Sequence, residues 1–108
     1  MGSTMTQQEV WRDIKKRLEA AFGDRLRGVL IYGSEARGES GPDSDIDVMV
    51  LLEGPVHLWE DIGRCVDATY PLTLEIGRPI HPDPVDVAEF EKGDFAIYRN
   101  AKAEGVRV

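Results

Sequence analysis

The chain has 108 residues, 42% of them apolar, and a formal net charge of −7 at neutral pH. That length supports one core and not two. No apolar run is long enough to cross a bilayer, and the acid excess argues against an extended nucleic-acid footprint, which needs clustered Lys and Arg.

Residues 1–5 contain no apolar signal-peptide stretch. They are expected to be a disordered start or a cloning remnant ahead of a single domain over 6–108. Thr6-Gln7-Gln8-Glu9 reads as a capping box that opens a helix. Val10, Ile14, Leu18, Ala21 and Phe22 form its buried stripe, and Gly23 ends it. Arg12, Lys15, Lys16 and Arg17 make the opposite, solvated face. A strand is expected over 27–32, a helical turn after Ser34, a loop over 38–42 and a second strand over 46–52. On that second strand Ile46, Val48 and Val50 point into a core, while Asp45, Asp47 and Met49 face the other way.

Gly54-Pro55 breaks the chain, and Leu58, Ile62, Val66 and Tyr70 recur as the buried stripe of another helix. The residues leave its end open. Pro71 disfavours continuation and Leu72, Leu74 and Ile76 alternate like a strand, yet Gly77 reads as a helix C-cap. The single Cys65 cannot form an internal disulfide, which fits a reducing cytoplasm, and its helical spacing from Ile62 and Tyr70 places it in the core. A third strand over 78–85 belongs at a sheet edge, because Pro79, Pro82 and Pro84 cannot all serve a central ladder. A helical turn over 87–91 follows. A last helix is capped by Asp94, with Phe95, Ile97, Tyr98 and Ala101 partly buried. Gly105 ends it, and 106–108 form a short terminal strand.

The chemistry concentrates in two neighbouring stretches. The apolar run Val29-Leu30-Ile31-Tyr32 ends in Gly33-Ser34-Glu35-Ala36-Arg37-Gly38, and Asp43-Ser44-Asp45-Ile46-Asp47 leads into the next apolar run. A Gly-containing turn at a strand end can bring backbone N–H groups close to phosphate oxygens. Alternate strand residues share a face, so Asp45 and Asp47 project together, about 6.6 Å apart at Cα. Paired carboxylates of this kind can hold divalent metal for phosphoryl chemistry. A calcium loop fails, because Val48 stands where Gly is needed and Gly54 where the bidentate Glu is needed. A P-loop fails too, since no Gly-Lys-Ser/Thr follows. A metal-bound free nucleotide is compatible with the acidic composition, and an acidic surface suits a basic protein partner.

Gly33-Ser34, ten intervening residues and Asp45-Ile46-Asp47 resemble the signature of the DNA polymerase β-like nucleotidyltransferases. Within them the chain is similar to the minimal nucleotidyltransferases, stand-alone proteins of about this length. The extended pattern Gly-Ser-x-Ala-Arg-Gly with Asp-Ser-Asp-Ile-Asp, and the ending Tyr98-Arg99-Asn100 with Glu104-Gly105-Val106, carry the same likeness. The resemblance implies an α+β fold, with a small mixed β-sheet, helices packed on one face and a kinked helix reaching about residue 76. It implies that Asp45 and Asp47 are catalytic metal ligands for Mg²⁺. It also implies that Gly33, Ser34 and Arg37 bind the nucleotide, Ser34 and nearby amides taking the phosphates. Active members draw a third acid from the next strand. Counting from Gly77, that position is His81, with Asp83 two residues on along the same face; Glu75 is the candidate if 72–76 form the strand. Both His81 and Asp83 are therefore candidate catalytic residues.

The implied activity is transfer of a nucleoside monophosphate, AMP from ATP or another NTP, to a hydroxyl. The resemblance suggests as acceptor a tyrosine of a HEPN-type toxin, with this chain acting as cytoplasmic antitoxin and pairing with that partner or with a second copy. The alternatives are a weakly active or inactive module of the same fold that neutralises a partner by binding it, and a small-molecule transferase of the aminoglycoside type.

Overall fold

The computed structural model describes residues 5–108. Of the start expected to be disordered, residues 1–4 lie outside the described residues, and Met5 packs against the larger core cluster. In chain order the elements are α1 (Gln7–Phe22), a 3-10 turn (Gly23–Arg25), β1 (Leu26–Tyr32), α2 (Gly33–Arg37) and β2 (Ile46–Leu52). They continue as α3 (Leu58–Ile76), β3 (Ile80–Asp86), α4 (Val87–Lys92), α5 (Ala96–Glu104) and β4 (Val106–Arg107). The capping box forms: Thr6 Oγ1 accepts from the Glu9 N–H, and Glu9 accepts from the Thr6 N–H, both at 3.2 Å.

Four strands lie in the order β3-β2-β1-β4. β1 is antiparallel to β2 and β4, and β3 is parallel to β2, so the sheet is mixed. β3 is an edge strand, which leaves one side free of ladder bonds and accommodates Pro82 and Pro84.

The alternation of β2 sorts the core into two layers. Ile46, Val48, Val50 and Leu52 join Val29 and Ile31 beneath α1 and α3, where Ile14, Leu18, Cys65 and Leu72 complete the larger cluster. Met49 and Leu51 face the other way, with Leu30, Val85, Phe90 and Ala101. The two long helices thus share one face, as expected, while short α4 and α5 cover the second. Among the described residues no helix is long and apolar enough to cross a membrane.

Helix α3 runs through Pro71 to Ile76 and stops at Gly77, whose φ of +71° is the left-handed C-cap conformation. Its rotation, however, differs from the expected one. The buried row is Asp61, Cys65, Thr69 and Leu72. Leu58, Val66 and Tyr70, which their spacing assigns to the core, are exposed along with Leu74, and Trp59 is 83% exposed. The buried row succeeds because its polar members are satisfied. Arg25 donates to both Asp61 carboxylate oxygens at 3.0 Å, and Thr69 Oγ1 donates to the Cys65 carbonyl at 2.9 Å. Helix α5 departs too. Phe95, not Asp94, is its N-cap and makes no side-chain capping bond; Phe95 and Ile97 are exposed, and Ala101 is the buried residue.

Candidate active site

The expected acids collect at the start of β2, on the face that further along carries Met49 and Leu51. Asp47 is opposite Tyr32 of β1 and opposite His81 of β3, so one row crosses three strands. Asp45 sits just before β2, and its Oδ2 is 3.0 Å from His81 Nε2. Asp83 is two residues farther along β3, opposite Met49, and accepts from the Tyr32 hydroxyl at 3.4 Å. His81, not Asp83, is therefore the β3 side chain beside the Asp45–Asp47 pair. Burial first, then the charges of Asp83 and Asp47, push the Tyr32 hydroxyl up to about 12, so it remains a proton donor at neutral pH.

Burial raises the Asp47 carboxyl above its ordinary range. The His81 charge acts against that rise, and the Asp45 and Asp83 charges add to it. Among the described residues the Asp47 carboxylate has no hydrogen-bond or ion-pair partner. A half-buried carboxylate facing two others supplies hard oxygen donors of the kind that divalent cations take.

Gly33 closes the other side. Its φ is +70°, and a Cβ there would stand 2.8 Å from Asp47 Oδ2. Only glycine combines that backbone conformation with so close an approach to the carboxylate. The next residue, Ser34, makes no side-chain hydrogen bond among the described residues, so its hydroxyl is available to a ligand. Arg37 lines a cleft of about 200 Å³ with Gly33, Tyr32, Ile97, Asn100 and Glu104. Its guanidinium is engaged there by Glu39 at 3.2 Å and Glu104 at 3.6 Å. A larger groove, about 780 Å³, lies between α1 and α3 around Arg17, Trp59 and Arg64, on the face of the sheet opposite the acids.

The donor set fits Mg²⁺. That ion is usually held by one or two carboxylates together with substrate phosphates rather than by an all-protein cage. Asp45 and Asp47 supply two hard oxygen donors, and Gly33-Ser34 stands beside them. Among the described residues no group of three or more His, Cys, Asp or Glu is arranged to hold a metal by itself, which leaves phosphate and water oxygens to complete the shell of an ion bound here.

The nucleotidyltransferase domain model matches residues 11–108. The chain belongs to the nucleotidyltransferase domain family. Two relatives come from Methanocaldococcus jannaschii, both provisionally named as protein adenylyltransferases. MJ0604 is 26% identical over 102 residues, covering 94% of this chain and 96% of that protein. MJ0141 is 36% identical over 45 residues, so the match spans 42% of this chain and only 46% of that one. Two solved structures share the fold. A toxin-antitoxin crystal structure with AMP-PNP superposes with a TM-score of 0.58 at 20% identity, covering 89% of this chain and 69% of that one. A crystal structure of the toxin-antitoxin MntA-HpeT carrying a tyrosine-to-alanine mutation gives 0.56 at 13% identity, covering 97% and 72%.

Linear reading missed Glu35. It occupies the variable position of Gly-Ser-x-Ala-Arg-Gly, yet its side chain is almost fully buried and binds Trp11, Ser40 and Arg78. Arg78 is 43 residues away, and nothing local in the sequence links the two.

Proposed function

We propose that this chain transfers a nucleoside monophosphate, AMP from ATP, to a hydroxyl acceptor on a partner protein. The observation that supports this best is the Asp45–Asp47 pair set against Gly33-Ser34 within a nucleotidyltransferase domain. Asp45 and Asp47 would hold Mg²⁺, which when bound polarises the α-phosphate and lowers the pKa of the attacking hydroxyl. The Ser34 hydroxyl and neighbouring amides orient the β- and γ-phosphates. His81, whose Nε2 lies 3.0 Å from Asp45 Oδ2, is the group proposed to accept the acceptor's proton. The new bond joins the acceptor oxygen to the α-phosphorus, and the bond to the pyrophosphate oxygen breaks. Intact-mass analysis of a partner incubated with the protein and Mg²⁺–ATP tests this reading: a gain of one AMP supports it, and unchanged mass across candidate partners counts against it.

The names of the relatives and structural neighbours motivate a protein acceptor, and a HEPN-type toxin with a modifiable tyrosine is the form we favour, with this chain as a cytoplasmic antitoxin. A surface suited to a partner is the exposed stripe of α3, where Trp59, Val66, Tyr70 and Leu74 lie open to solvent. Its rim favours a basic partner over a second copy. Arg17 is already paired with Asp13 and Arg64 lies over the Phe22 ring, whereas Glu60 and Asp67 make no ion pair among the described residues. That stripe, together with a histidine where the family places an acid, also supports a second reading: a partner-binding module with little transfer activity.

Two variants separate these possibilities. Ser34→Ala should weaken triphosphate binding by about 1–2 kcal/mol, the scale of losing one hydrogen-bond partner, and leave AMP binding almost unchanged. Equal losses for ATP and AMP in calorimetric titrations would remove Ser34 as a phosphate ligand. His81→Ala should abolish transfer while nucleotide still binds, and His81→Asp should preserve or raise it. A wild type that modifies nothing, with activity appearing only in His81→Asp, would favour the binding module.

A further inference from the structure

Glu35 and Arg78 form a fastening that no step of the chemistry above requires. The Glu35 carboxylate, on α2 next to Ser34, accepts from Trp11 Nε1 at 3.0 Å, from Ser40 Oγ at 2.5 Å and from Arg78 Nη2 at 2.8 Å. Arg78 has a second edge, and its Nε donates to the Ser44 carbonyl at 2.9 Å. On the far side of Asp45, the Ile46 N–H donates to the Pro79 carbonyl at 2.9 Å. Asp45 is thus flanked by two tethers, and both run to adjacent residues at the entry to β3, the strand that carries His81.

We propose that Arg78, seated by Glu35, is a positioning residue that fixes Asp45 relative to Asp47 and His81. The inference rests on the nucleotidyl-transfer reading for its purpose, but the restraint itself is a property of the unliganded chain. The 38–45 segment follows α2 and has little regular structure. Its other restraints include the Asp45–His81 contact, the Arg37–Glu39 pair, the Ser40 contact, a Gly41–Ser44 pair of hydrogen bonds and the Gly38 and Glu39 N–H bonds back to α2. Without the Arg78 bond the Ser44 carbonyl loses that donor, and Asp45, held on that side by the Gly41–Ser44 turn, would sample a wider range of orientations relative to Asp47. Arginine is required for geometric reasons. Its rigid fork offers donors along two edges, whereas a lysine ammonium is a single point that can stay with Glu35 or reach Ser44, not both.

Arg78→Lys therefore separates the ion pair from the positioning. The variant should fold. Its ATP affinity in EDTA should match the wild type, and the gain in affinity on adding Mg²⁺ should fall roughly tenfold, the lower end for a lost support of a metal ligand. Amide hydrogen exchange in the nucleotide-free protein should speed up at residues 44–46. Glu35→Gln, which keeps the shape and removes the charge that seats the guanidinium, should shift both readouts in the same direction and serves if Arg78→Lys does not fold. Wild-type exchange at 44–46 together with an undiminished Mg²⁺ gain would overturn the proposal, as would equal loss of ATP affinity with and without Mg²⁺. A wild type with no Mg²⁺-dependent gain would instead remove the transfer reading, and the exchange measurement would still decide the positioning.

Discussion

Replacing Asp45 and Asp47 together by asparagine is expected to abolish Mg²⁺-dependent ATP binding while the folded protein becomes no less stable. The two halves have a common cause. Asp47 is half-buried, unpaired among the described residues and close to Asp45 and Asp83, and its carboxyl is raised above the usual range chiefly by burial. An acid with a raised native pKa favours the folded state only where it is protonated, and that contribution disappears as pH rises from the unfolded value through the folded one. At neutral pH the Asp47 charge therefore opposes folding. Asparagine removes the charge and keeps the shape. The opposing charge stands next to Gly33, where even a Cβ would crowd the carboxylate, a loss of stability that the proposed ligand role would account for. A cation that binds the native state should raise the wild-type melting temperature. The double variant should melt at or above the metal-free wild type and show no such rise. Titration heats for Mg²⁺–ATP that match the wild type in the double variant would remove these residues as ligands.

The sequence makes this site legible because its parts are local. Gly33-Ser34 directly follows β1, Asp45 and Asp47 flank the first residue of β2, and one antiparallel pairing brings Tyr32 against Asp47. The register of β3 is also countable from Gly77, since a tight left-handed cap leaves few residues before the strand, and His81 indeed pairs with Asp47. Helix α3 is a different problem. Two rows on it are spaced like a buried stripe, and hydrophobicity alone selects Leu58, Val66 and Tyr70. The choice is made by Arg25, far back in the chain, which lets Asp61 be buried. Glu35 escapes for the same reason. An acid flanked by Ser34 and Ala36 reads as surface until Arg78 and Trp11 are known to meet it. Long-range pairing of polar groups decides such positions, and periodicity does not record it.

Glu35→Ala is expected to be the most destabilising single change near the site. Burial alone would raise the Glu35 carboxyl. The hydrogen bonds from Arg78, Ser40 and Trp11 and the Arg78 charge outweigh burial and bring it down to about 2. Its side chain is 1% exposed, so solvent screens these contacts little. A fall of that size from the ordinary glutamate value corresponds to about 3 kcal/mol, and removing one member of a buried pair costs about 3–5 kcal/mol. The lower figure is expected, because Arg78 remains partly accessible at 19% and can turn toward water. In a domain of this size that is a fall in melting temperature of roughly 12–20 °C. The pH dependence identifies the cause. A carboxyl depressed in the native state stabilises fully above its unfolded pKa, about 4.3, and the contribution is lost as pH falls toward the native value. The gap between wild type and Glu35→Ala should therefore be constant from about pH 7 to about 5 and close progressively from there down to about pH 2. Adding Arg78→Ala should cost less than the sum of the two single changes, since the partner left without its charge is removed with it. A gap that stays constant down to about pH 2 would mean that Glu35 contributes packing, and that its charge holds nothing in place.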